Sequence, residues 1–169
     1  MKLLKKSLCL MLALLLVLSL TACKSKTEKY QESLTTIINE ISDMNSDITT
    51  TVTALQTALG AGDKTSYDAA LVSLKTYSDS LKSKYQAIAA VEAPKDLEDK
   101  RLALKGHADN LCTMLDDSIE LYTIAGEALS KDLTEEQISR INILQTEIGQ
   151  LQGSADSFDS ILNEIMAAE

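Results

Sequence analysis

The stretch YQESLTTIINEISDMNSDITTTVTALQTAL, residues 30–59, decides the fold. Its apolar residues fall at Tyr30, Leu34, Ile37, Ile41, Met44, Ile48, Val52, Leu55 and Leu59, always three or four apart, which is the period of one helix face and not of a strand. The stripe survives even Thr49-Thr50-Thr51-Val52-Thr53, a run of β-branched residues with poor helix propensity. It stops at Gly60-Ala61-Gly62, where glycine can take the left-handed conformation that ends a helix, and Asp63 follows as an N-cap for the next.

Three more stripes follow. Tyr67, Leu71, Leu74, Tyr77 or Ser78, Leu81, Tyr85, Ile88 and Val91 make the second, which Pro94 terminates. Leu97, Arg101, Leu104, Ala108, Leu111, Leu115, Ser118, Tyr122, Ala125 and Leu129 make the third, broken at Ser130-Lys131-Asp132-Leu133. Thr134 with Gln137 reads as a capping box, with Glu135 and Glu136 suited to the positive end of a helix dipole. The fourth stripe runs Ile138, Ile141, Leu144, Ile148, Leu151, Ala155, Phe158, Leu162 and Ile165.

Hairpin signals are absent, and the breaks are short, so the expected fold is all-α: an elongated antiparallel up-down-up-down four-helix bundle. The predicted helices cover residues 28–59, 64–92, 95–130 and 134–167, within a domain of residues 30–169. Their similar lengths favour simple closure, with a three-helix body and one undocked helix as the alternative. Gly106, Gly126, Gly149 and Gly153 interrupt the third and fourth helices, and if they face one another the bundle has a thin waist.

The N-terminus is of another kind. Lys2, Lys5 and Lys6 precede a run of apolar residues that ends at Leu20-Thr21-Ala22-Cys23, the layout of a secretory signal and too short for a comfortable membrane span. Leu20-Thr21-Ala22-Cys23 resembles the lipobox of bacterial lipoproteins. The resemblance implies that residues 1–22 are a signal helix cleaved between Ala22 and Cys23, and that Cys23 carries a diacylglyceryl lipid. It also implies an extracytoplasmic location at a bacterial cell membrane. Two acyl chains suffice to hold a domain stably on a bilayer. Residues 23–29 then form a lipidated N-terminus and basic linker, with Lys24, Lys26 and Lys29 beside the headgroups.

With Cys9 in the signal and Cys23 on lipid, Cys112 is the one thiol left, so the expected domain has no internal disulfide. The full chain carries a formal charge of −9, and removal of the signal subtracts three lysines and no acid. That acidity argues against nucleic acid as a partner.

Catalytic and metal-binding patterns are missing. His107 is the single histidine, too few for paired Glu-x-x-His ligands, and neither a haem-attachment motif nor a nucleophile elbow occurs. The carboxylates Asp116, Asp117 and Glu120, and again Glu40, Asp43 and Asp47, share helix faces but read as solvated surface. No catalytic residue, metal or cofactor is therefore assigned.

The expected function is that of a non-enzymatic envelope binding or scaffolding module, anchored by lipid on Cys23, with a protein or cell-wall partner. Topology sends Gly60, Gly62 and Asp63, together with Lys131 and Asp132, to the end far from the membrane, where partner contact is expected first. The alternative is a sensory bundle that holds a small molecule or cation in its core near Arg101, Ser118 or the glycines.

Overall fold

The computed structural model describes residues 25–168; the expected signal segment, Ala22 and Cys23 lie outside the described residues. The chain forms an all-α helical bundle from α1 (Lys26–Ala61), α2 (Lys64–Ala90), α3 (Glu98–Glu127), α4 (Glu135–Leu151) and α5 (Gly153–Met166), with a 3-10 turn at Lys95–Leu97 ahead of α3.

Local chemistry accounts for the boundaries. Helix α1 begins at Lys26 because Ser25 caps it: Ser25 Oγ accepts from Glu28 N at 3.0 Å, while the Glu28 carboxylate accepts from Ser25 N at 2.6 Å. Lys26 and Lys29 thus stand on the first turns of α1. The β-branched run is accommodated because Thr49, Thr50 and Thr53 each donate a hydroxyl to the carbonyl four residues back, at 2.8–2.9 Å. Gly62 ends α1 at φ 69, and its N–H donates back to Leu59 O. The Thr134–Gln137 capping box opens α4.

The fourth predicted helix is two. Gln152 keeps helical backbone angles and its N–H still bonds to Ile148 O, but Ala155 N bonds to Gln152 O with three-residue spacing, so the regular ladder is interrupted beside Gly153. The third helix starts three residues later than expected, since Pro94 caps the 3-10 turn and α3 proper begins at Glu98.

Helix α3 is central: it packs on α2, α4 and α5, and α1 packs on α2. Between α1 and the fourth segment there is no comparable backbone contact, so the expected simple closure is reached only by side chains at one end. There Tyr30 and Leu34 of α1, Ile88 and Ala89 of α2, Leu104, Ala108 and Leu111 of α3, and Phe158, Leu162 and Ile165 of α5 form one core. A second core, at the other end, is built from Leu55, Ala58, Tyr67, Leu71 and Leu74, with Ile119, Tyr122 and Leu129 packed against it. Each fully buried leucine or isoleucine in these cores contributes about 1.5–3 kcal/mol relative to exposure.

The glycines do not make a waist. A Cβ on Gly106, Gly149 or Gly153 would meet nothing within 4 Å, and the one tight glycine, Gly126, faces Tyr67 of α2 rather than α4 or α5.

Candidate functional sites

Three regions carry the residues singled out from sequence. The first is the tip formed by the α1–α2 and α3–α4 connections. Gly60, Gly62, Asp63, Lys131 and Asp132 are all exposed there. The two connections belong to one end because Tyr67, at the start of α2, donates its hydroxyl to Tyr122 O of α3 at 2.6 Å, and Leu129 packs on the core that holds Ala58. Asp63 is engaged in capping: its carboxylate accepts from Ser66 N at 3.1 Å and Ser66 Oγ at 2.6 Å, and these bonds hold the carboxyl below its ordinary range. Lys131 pairs with Glu127 at 2.9 Å. The tip therefore offers small and mixed-charge groups in tight turns.

The second region is the opposite end. Arg101 stands on the third stripe, where an apolar residue was expected, and its role is a clamp: the guanidinium donates to both Glu98 oxygens at 2.8 and 2.6 Å and to Ala89 O at 2.9 Å. It thereby satisfies a carbonyl at the end of α2 that has no helical partner. Beside it, Tyr30 is buried with its hydroxyl unpartnered, and burial raises its pKa. Gln31, which the sequence did not single out, donates its amide to Ile165 O and Ala168 O, both at 2.9 Å, tying α1 to the end of α5.

Three of the six carboxylates on the acidic faces form ion pairs. Asp116 accepts from Lys82 at 2.6 Å, Glu40 pairs with Lys84, and Arg140 bridges α4 to α3 by a bidentate contact with Glu120 at 2.7–2.8 Å, with a longer contact of 3.3 Å to Glu147 on its own helix. Asp117 lies in the same cluster without such a bond, and its carboxyl is pushed up by partial burial and then by Glu147. Among the described residues, no group of three or more His, Cys, Asp or Glu side chains is arranged to hold a metal ion. His107 Nδ1 is buried without a hydrogen-bond partner. Cys112 is half-buried, its Sγ 3.9 Å from Lys82 O, and burial raises its thiol pKa, which lowers its reactivity.

The third region adjoins the second core. There α1, α2 and α3 form a partly open cavity of about 200 Å³ lined by Ile48, Val52, Leu74, Tyr77, Ser78, Leu81, Leu115, Ser118, Ile119 and Tyr122. Its cause is legible in the register. Contacts from Tyr67 to Tyr122, Lys82 to Asp116 and Arg101 to Ala89 align α2 and α3 antiparallel and place Ser78 level with Ser118. A serine thus stands on each of two facing stripes at one level, where their neighbours Leu74, Leu81, Leu115 and Tyr122 are large, and the missing side-chain volume becomes space.

Among the described residues, no helix is long and apolar enough to cross a membrane. No protein-family model, curated protein or solved structure matches this chain.

Proposed function

We propose that this chain is a lipid-anchored module on the extracytoplasmic face of a bacterial cell membrane, held there through Cys23, and that it serves as a non-enzymatic binding or scaffolding element of the envelope. The observation that carries the reading is the order of parts at the N-terminus: basic residues, an apolar run, then Leu20-Thr21-Ala22-Cys23. The start of α1 at Lys26 is in keeping with it, since a lipid on Cys23 then holds the end of the bundle that bears Tyr30 and Pro94 close to the bilayer. Lys26 and Lys29 would face anionic headgroups, adding on the order of 1 kcal/mol each. The tip with Gly60, Gly62, Asp63, Lys131 and Asp132 would project outward to a protein or wall partner, and the acidity of the chain disfavours nucleic acid.

The test is fractionation of a bacterium that expresses the full chain, with an alkyne fatty acid to label acylated protein. The wild type should carry the label and sediment with membranes, and Cys23→Ala should lose both properties. Unaltered membrane retention of Cys23→Ala would overturn the anchor. For the partner, crosslinking from a photoreactive residue at position 61 should trap one envelope component reproducibly, and a failure to trap any would count against the scaffolding role.

A further inference from the structure

The cavity between α2 and α3 has a chemistry of its own. No charged residue lines it, so an ionised ligand would be desolvated there without compensation. Its walls are chiefly Ile48, Val52, Leu74, Leu81 and Leu115, which match an apolar body. One polar group points to something more. Ser78 is 3 % exposed, and its hydroxyl has no hydrogen-bond partner. Many helical hydroxyls of this chain donate to the carbonyl four residues back, and Ser118, across the cavity, does so to Met114 O at 2.7 Å. Ser78 makes no such bond although it is buried, and a buried hydroxyl left unpaired costs free energy that a bound group would recover.

Size narrows the class further. Apolar cavities of about 150 Å³ in proteins take up a benzene ring, so about 200 Å³ suits one ring with a small substituent. We propose that this cavity is a binding site for a neutral, single-ring amphiphile of the phenol class, with the ring against the leucine and isoleucine walls and its hydroxyl bonded to Ser78 Oγ. Ser118 Oγ, whose proton is committed to Met114 O, is placed as a further acceptor. A second, partly open space of about 160 Å³, lined by Ile41, Tyr85, Phe158, Asp159 and Leu162 among others, supplies an internal comparison: it carries a charged residue, and no unpartnered buried hydroxyl faces it. The inference does not use the lipid on Cys23, so its failure and that of the anchor are separate events.

The experiment uses the full chain in lipid nanodiscs, with leucine and isoleucine methyl groups labelled for NMR and empty nanodiscs to measure partition of the probe. Phenol at up to millimolar concentration should shift the methyls of Leu74, Leu81 and Leu115 saturably, while benzoate should not. Ser78→Ala should weaken phenol binding about two- to tenfold, the value of one net hydrogen bond, and leave benzene binding unchanged. Ser118→Leu, which fills the cavity and needs no polar partner, should abolish phenol binding with the fold retained. Absence of saturable shifts, equal binding of benzoate, or indifference of phenol affinity to Ser78→Ala would each overturn the proposal.

Discussion

Gly126 and Tyr67 form the tightest side-chain fit among the described glycines. A Cβ at position 126 would lie 2.5 Å from Tyr67 Cε1, and Tyr67 cannot retreat because its hydroxyl is held on Tyr122 O. Alanine normally stabilises a helix over glycine by about 1 kcal/mol, whereas overpacking costs about 1–3 kcal/mol. Gly126→Ala should therefore destabilise by about 1 kcal/mol net, while Gly106→Ala, with open space around it, should stabilise by about 0.5–1 kcal/mol; urea denaturation of the pair checks the opposite signs. Tyr67 also has a titration signature. Burial pushes its pKa up to about 12 from 10.0, so the folded state resists ionisation that the unfolded chain accepts. Its contribution is fully present below pH 10 and declines as the pH rises toward 12, and ultraviolet titration of wild type against Tyr67→Phe should remove the latest-ionising tyrosine. The sequence placed Tyr67 in the core; it could not show that Gly126 exists to admit it, because that pairing spans two helices.

At the scale of elements, boundaries set by neighbouring residues were readable and those set by distant ones were not. The Thr134–Gln137 box is local, and Thr134→Ala should cost about 1 kcal/mol. The Ser25–Glu28 box is equally local, but it is embedded in a basic segment that reads as linker, so α1 starts earlier than its apolar stripe indicates. The break between α4 and α5 is foreshadowed by Gly149 and Gly153, although nothing in the apolar period, which continues through it, fixes its position at Gln152. Gln31 is the least predictable of these residues. Its partners, Ile165 O and Ala168 O, are brought to it only by folding. Gln31→Ala should speed amide exchange over residues 163–168 and lower global stability by about 1 kcal/mol, the net value of a hydrogen bond; unchanged exchange there would show that α5 is held by Phe158, Leu162 and Ile165 alone.

For the whole molecule, charge is the widest-ranging constraint. The chain carries −9, and Arg140, the last basic residue, joins α4 to α3 by holding Glu120 and also contacts Glu147 on its own helix. Glu120 is thereby kept below its ordinary pKa, whereas Asp117 is raised, first by partial burial and then by the nearby Glu147. A raised carboxyl pKa means that stability is complete below the unfolded value of 3.8 and is lost as the pH rises through the folded one. Asp117→Asn should accordingly stabilise the protein at pH 7, and the gain should vanish in acid; equilibrium denaturation across that range, with added salt reducing the difference, provides the check. The sequence by itself determined the helical class, the four-segment order and the turn chemistry between segments, because period, glycine, proline and capping residues act within a few positions of one another. Tertiary structure alone decided that α3 is the centre, that α1 joins the fourth segment only at one end, and that Ser78 and Ser118 line one partly open cavity. Those features depend on the register between helices, which follows from side-chain packing and ion pairs over long chain separations.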